Sequence, residues 1–193
     1  MSARLRYSTI CSLDGYVADA DGGFDWAVPD EEVLAAINAG MREVTTSLHG
    51  RRIYELMHVW ETDPAAAAQS PESAVSAQLW RRPDKHVFST TLDAVRTERT
   101  TLHRTFDPAE IARMKAAGAG VWMIDGPTLA AHALRAGLVD QVEVINAPAL
   151  VGGGLPAFPD GIRNALRLTG VHRFDNGMTC QTYDVEGGLE KVT

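Results

Sequence analysis

The chain has 193 residues, of which 45% are hydrophobic and 22% charged, with a formal net charge of −7. That size suits one domain with a substantial core, expected over residues 1–187, with a frayed tail at 188–193. The acidic balance argues against nucleic acid or an anionic membrane as a partner, so an anionic ligand would need a local basic cluster.

Taken in chain order, Leu5–Cys11 reads as a first strand and Asp14–Pro29 as a glycine-bearing loop. Asp30-Glu31-Glu32 opens an amphipathic helix to about Arg42, its acids at the positive end of the helix dipole. Val44–Leu48 is a short strand broken at Gly50, and Arg52–His58 is a helical turn or two. Glu61–Ser73 reads as loop, with four alanines between Pro64 and Pro71. Lys85–Ser89 and Thr100–Arg104 are strands. Pro108 opens a helix that Gly118 closes. Val121–Ile124 is a strand, Pro127–Ala136 a helix capped by Gly137, and Val139–Val151 mostly strand. Leu166–Phe174 and Met178–Val185 form a hairpin about Asn176-Gly177. Strands alternating with helices and ending in a hairpin predict an α/β fold with a mixed sheet.

Several chemistries lack their signatures. The six histidines make no HxH, HxxxH or HExxH pattern, so no metal site is expected. There is no GxSxG elbow, no GxxxxGK[ST] loop and no GxGxxG fingerprint. Cys11 and Cys180 lie in strand-like sequence without CxxC spacing and read as free thiols in a reducing cytoplasm. No apolar run of about 18 residues spans a bilayer, and MSARLRYSTIC is too weakly apolar for a signal peptide. Hydride transfer needs neither a metal nor an activated nucleophile, because the cofactor supplies the reactive group.

Three turns follow three strands. In HGRRIYE (His49–Glu55) a strand ends at Gly50 and two arginines stand where a helix starts, a pattern that suits phosphate or a solvated basic turn. VFSTT (Val87–Thr91) ends a strand in three hydroxyls that either meet a phosphate or cap the next turn. In DGPTL (Asp125–Leu129) Gly126 admits close backbone approach and Pro127 suits the first helical position, as in a plain strand–turn–helix connection. Three such turns at carboxyl ends of strands carry more weight together than singly, because ligands of α/β sheets collect at that edge.

The segments SLDGYVAD, HGRRIYE, VFSTTL and DGPTLAAHALRAGLVDQVEVINAPALVGGG occur in this order. Together they resemble the dihydrofolate-reductase-like superfamily over nearly the whole chain. The resemblance is greatest to the reductase domain of bacterial riboflavin biosynthesis and its stand-alone relatives. It implies a three-layer fold: a mixed, mostly parallel sheet of about eight strands, helices on both faces, and a C-terminal hairpin. It implies NADPH across the carboxyl edge of that sheet, with Gly50, Arg51 and Arg52 facing its phosphates. Ser89 and Thr90 would lie near the adenosine ribose and 2′-phosphate, and Gly126, Pro127, Thr128 and Leu129 would hold the pyrophosphate. Ala18, Gly152 and Gly153 would lie on the nicotinamide side. The chain departs from many relatives at Asp125, where they have glycine, and at Ile53, where they often have threonine. A carboxylate beside a pyrophosphate is unfavourable unless it points away, as a helix N-cap would.

On the substrate side, the resemblance nominates Asp14 in SLDG and, by a count from Pro29, Glu31 as candidate catalytic acids. Asp14 is equally a turn-forming Asp-Gly residue, and Glu31 an ordinary acidic helix start. The single aspartate of ETDP (Glu61–Pro64) departs from the paired aspartates of riboflavin-type reductases. The reading is therefore a cytoplasmic NADPH-dependent reductase, acting on a heterocyclic or phosphoribosylamino-pyrimidine-type substrate. Pterin reduction, or nucleotide or flavin binding without catalysis, are the alternatives. Relatives usually pair, and Leu166, Leu168, Met178 and Cys180 offer an apolar hairpin face, so a homodimer is expected.

Overall fold

The computed structural model describes residues 2–188. It opens with strand β1 (Arg4–Ser12), short β2 (Tyr16–Ala18) and helix α1 (Glu31–Met41). Strand β3 (Val44–Gly50) leads into α2 (Arg51–Met57), α3 (Val59–Thr62), α4 (Pro64–Ala67) and α5 (Pro71–Arg81). There follow β4 (Asp84–Phe88), β5 (Thr100–His103), α6 (Pro108–Ala117), β6 (Val121–Asp125), α7 (Pro127–Arg135) and β7 (Gln141–Ala147). Two-residue β8 (Leu155–Pro156) precedes β9 (Asn164–Arg173) and β10 (Thr179–Gly188).

Eight strands form one sheet in the order β5-β4-β3-β6-β1-β7-β10-β9, and β2 pairs separately with β8. Every pairing in the large sheet is parallel except those that β10 makes with β7 and β9. The carboxyl ends of β4, β3, β6, β1 and β7 therefore line one edge in that order.

Alternating strand side chains feed two faces. On one, Ile111 of α6 and Leu129, Ala130 and Leu134 of α7 pack with Leu5, Tyr7, Leu48 and Ile124. On the other, Val33 of α1 packs with Ile145, Ala147 and Phe174, and Trp80 of α5 with Tyr54 and Val87. This is the three-layer, mostly parallel arrangement expected, with β9 and β10 as the C-terminal hairpin.

Local chemistry sets the helix starts. Asp30 caps α1 by accepting from Val33 N at 3.0 Å, which puts Glu31 inside the first turn. Asp107 caps α6 with Pro108 behind it. The same cap-and-proline device corrects one expectation: Glu61–Ser73 is largely helical, not loop. Asp63 caps α4 before Pro64, and Ser70 caps α5 before Pro71. These prolines occupy first-turn positions, where no hydrogen bond is lost. The loop expected from Asp14 to Pro29 also contains β2 and a single 3-10 turn at Asp25–Ala27. Gly188, placed in the frayed tail, pairs with Asn164 in the β9–β10 ladder, and residues 189–193 lie outside the described residues. Cys11 is buried and Cys180 half-buried, both are free, and burial pushes each thiol up to about 11. Among the described residues no helix is long and apolar enough to cross a membrane.

Candidate functional site

The sheet order brings together turns that are far apart in sequence. β3 lies between β4 and β6, with Gly50 level with Phe88 and His49 level with Asp125. The turns after these three strands are therefore neighbours on the carboxyl edge. They also touch: a Cβ built on Gly126 would meet Ile53 Cγ2 at 3.5 Å, and one on Gly50 would meet Leu129 Cβ at 3.8 Å. Gly126 is the N-cap of α7 at φ 85°, a left-handed conformation that disfavours any side chain. It makes no side-chain cap, and Pro127 follows it, so the first-turn amides of Thr128 and Leu129 are left without an intrahelical acceptor. Thr128 is exposed and Leu129 buried.

Between the Arg51 and Thr91 turns lies a groove of about 460 Å³, lined by Arg51, Tyr54, Glu55 and His58 on one side and by Thr91–Ala94 and Arg96 on the other. Arg51 donates to Glu55 Oε1 at 3.0 Å and to Thr91 Oγ1 at 2.8 Å, which fixes its guanidinium across the groove. Arg52 is exposed and does not line it. Buried Ser89 accepts from Thr91 N and Leu92 N at 3.2 and 2.9 Å, so its hydroxyl shapes the turn, while Thr90 is exposed. Arg104 Nη1 donates to the Ser89 and Leu92 carbonyls at 3.2 and 2.6 Å, and the Tyr54 hydroxyl accepts from Arg96 N at 2.7 Å. Sequence reasoning included Thr91 among the three strand-end hydroxyls but missed Tyr54, His58 and Arg96. Their signal was their nearness to the Arg51 and Ser89 motifs, but their convergence depends on β3–β4 pairing.

At the ends of β1 and β7 a second group gathers. Ala18 in β2 pairs with Leu155 of β8. Gly152 and Gly153 stand at φ 74° and 156° in the turn that precedes β8. The Asp14 carboxylate accepts from Gly152 N at 2.8 Å and Val151 N at 3.2 Å, tying the β1 loop to the glycine turn. Hydrogen bonding from the Ser12 hydroxyl, then from those amides, holds the Asp14 carboxyl below the usual carboxylate range. Glu31 lies elsewhere, exposed in the first turn of α1. Its neighbour Glu32 accepts from Asp175 N at 2.9 Å. The structure thus brings Asp14 to Gly152 and leaves Glu31 apart from both.

Asp125 does not cap α7, the role that would have turned it away from an anion. Its Oδ2 lies 3.2 Å from Nδ1 of fully buried His49, whose ring packs on Trp80 at 4.9 Å. The approach is too oblique for a hydrogen bond, and both ring nitrogens lack a hydrogen-bond partner, so the imidazole meets the carboxylate as a packing contact. Among the described residues there is no group of three or more His, Cys, Asp or Glu placed to hold a metal ion.

Residues 3–180 match the family of the RibD C-terminal domain. The chain is 22% identical over 188 residues to the uncharacterized protein YyaP of Bacillus subtilis, covering 95% of this chain and 96% of that one. It is 29% identical over 181 residues to the riboflavin biosynthesis protein RibD of Mycobacterium tuberculosis, but spans only 48% of that protein's length. Among solved structures, a riboflavin biosynthesis protein from Shewanella superposes with a TM-score of 0.73 at 24% identity, covering 96% of this chain and 99% of that one. A deaminase/5-amino-6-(5-phosphoribosylamino)uracil reductase from Thermotoga maritima gives 0.62 at 13% identity, over 95% of this chain and 57% of that one. These likenesses establish the dihydrofolate-reductase-like fold of the riboflavin reductases, and with the match across its length the chain belongs to the RibD C-terminal domain family.

Proposed function

We propose that this protein is an NADPH-dependent reductase, transferring hydride to a C=N or similar acceptor in a heterocyclic or phosphoribosylamino-pyrimidine-type substrate. One observation carries the reading. The turns Gly50–Arg51, Ser89–Thr91 and Gly126–Leu129 adjoin on one sheet edge, and a groove that holds Arg51 and Arg96 opens between the first two. The residues present fit a dinucleotide. The uncapped first turn of α7 offers amides to a pyrophosphate, and a glycine at φ 85° lets it approach. The groove's Arg51 and Arg96 are matched in charge by Glu55 and Asp93 in the same lining, so it offers a phosphate directed guanidinium donors rather than a net positive charge. The relatives named for riboflavin biosynthesis support the substrate class.

Bound NADPH would supply the hydride, and the chain's own residues bind and orient. Ala18, Gly152 and Gly153 form the wall of the nicotinamide side. Asp14, held as a carboxylate by Gly152 and Val151, anchors that wall, and water provides the proton. The same observation favours a second reading, nucleotide binding without catalysis, because it leaves Asp14 poorly suited to donate a proton. Pterin reduction has less support, since Glu31 stands apart from the glycine turn. The cytoplasm is the compartment this reading implies.

Titration calorimetry with NADPH, followed by its oxidation in the presence of 5-amino-6-(5-phosphoribosylamino)uracil, tests the proposal. Binding with turnover is expected. Binding without turnover of this or of dihydrofolate selects the non-catalytic reading, and no binding rejects both.

A further inference from the structure

An acidic residue directly precedes the turn proposed to hold a pyrophosphate, and the structure shows how its charge is kept aside. Strand alternation puts Leu48 and Ile124 in the core beneath α7, and their successors His49 and Asp125 on the opposite face, beneath Trp80 of α5. The two are level on adjacent strands, and His49 Nδ1 lies 3.2 Å from Asp125 Oδ2. His49 is fully buried, and neither ring nitrogen makes a hydrogen bond, which is uncommon for a buried imidazole. The Asp125 side chain keeps 17% of its surface accessible, so without His49 it has room to turn toward solvent and the α7 terminus.

We propose that His49 is a positioning residue for the dinucleotide: it holds the Asp125 carboxylate on the α5 side of the sheet, away from the anion at the first turn of α7. The inference rests on the dinucleotide reading above. It explains how an aspartate is tolerated one residue before Gly126 without serving as the helix cap.

Calorimetric titration with NADPH, and with inorganic pyrophosphate as a second probe, on wild type, His49→Leu, Asp125→Asn and the double variant tests it. His49→Leu should weaken both probes about tenfold, the effect of a like charge moving a few Å nearer an anion in a partly screened site. Asp125→Asn should bind at least as tightly as wild type. The double variant should return to within about threefold of wild type, because the released side chain no longer carries charge. Thermal midpoints separate this from folding: both variants lacking His49 should melt lower, yet only the one that keeps Asp125 should lose affinity. His49→Phe, which fills the site without a donor, takes the place of His49→Leu should the latter not fold. A loss that persists undiminished with Asp125→Asn, or no loss at all, overturns the inference while the dinucleotide reading stands. Recovery seen with pyrophosphate but no binding of NADPH keeps the positioning role and rejects the dinucleotide. Binding of neither probe removes both.

Discussion

A Cβ on Gly154 would overlap the carbonyl oxygen of Ala18 and lie 2.7 Å from that of Asp19. The third glycine of the run is therefore required by the β2–β8 contact, whereas a Cβ on Gly152 or Gly153 would meet nothing within 4 Å. Gly154→Ala should cost about 2–4 kcal/mol, from overpacking against unyielding backbone together with a strained φ. Gly152→Ala should cost about 1 kcal/mol, from its left-handed conformation alone. Urea unfolding of the two variants checks the order, and equal losses would contradict it.

Arg51 is held across the groove by Thr91 and Glu55, while Arg52 does not line it. Arg51→Ala should weaken NADPH about ten- to hundredfold, the range for one charge-assisted bond, and NADH much less. Arg52→Ala should have the smaller effect, and the preference for NADPH should shrink as salt rises. Folding should change by less than about 1 kcal/mol, because the Arg51–Glu55 pair is exposed. Calorimetry with both nucleotides decides, and equal losses would take Arg51 out of the 2′-phosphate site.

His86 Nδ1 and His103 Nε2 lie 2.8 Å apart on adjacent strands, with His103 stacked on Phe88. Burial, and then His103, push His86 below its usual range, against the opposing pull of Asp84 and Glu110. The unfolded chain then binds more protons than the folded one between the lowered value and the ordinary 6.5. Stability carried by neutral His86 should be intact above that window and fall as pH drops through it. Urea midpoints at about pH 7.5 and about pH 5 should show the loss in wild type and a smaller one in His86→Phe.

The four hairpin residues expected on one apolar face do not share one. Met178 and Cys180 pack with Val33 and Phe174 on the α1 side, whereas Leu166 lies with Leu134 and Val185 on the α7 side, because a β-bulge intervenes. Met178 is buried and Cys180 half-buried, but Leu166, Leu168 and Val171 on edge strand β9 are 45%, 51% and 64% exposed. We propose that β9 meets a second copy of the chain. Sedimentation at micromolar concentration should give a dimer, and Leu168→Lys should shift it toward monomer. Monomer alone in the wild type would reject the assembly.

Much of the fold was legible because its signals are local. Proline at first helical positions, Asn176-Gly177 in the hairpin and apolar strands between polar turns each act within a few residues. Helix α5 was missed although Ser70-Pro71 announces it, because the alanines and prolines before it read as loop. The three turns on the carboxyl edge were recognisable individually for the same reason: glycine, arginine and proline have their effect where they stand.

What the sequence determined by itself was therefore the class of fold, the kinds of turn and the candidate residues at each. Only the tertiary structure decided which of them meet. Asp14 and Gly152 are 138 residues apart, yet joined by a hydrogen bond that converts a candidate acid into an anchor. His49 and Asp125 face each other because β3 and β6 pair with these two residues level, and slipping β3 by one residue would send His49 to the opposite face and leave Asp125 where it is. Strand order and register are properties of the whole sheet, set by the sum of its packing, so no short stretch of sequence contains them.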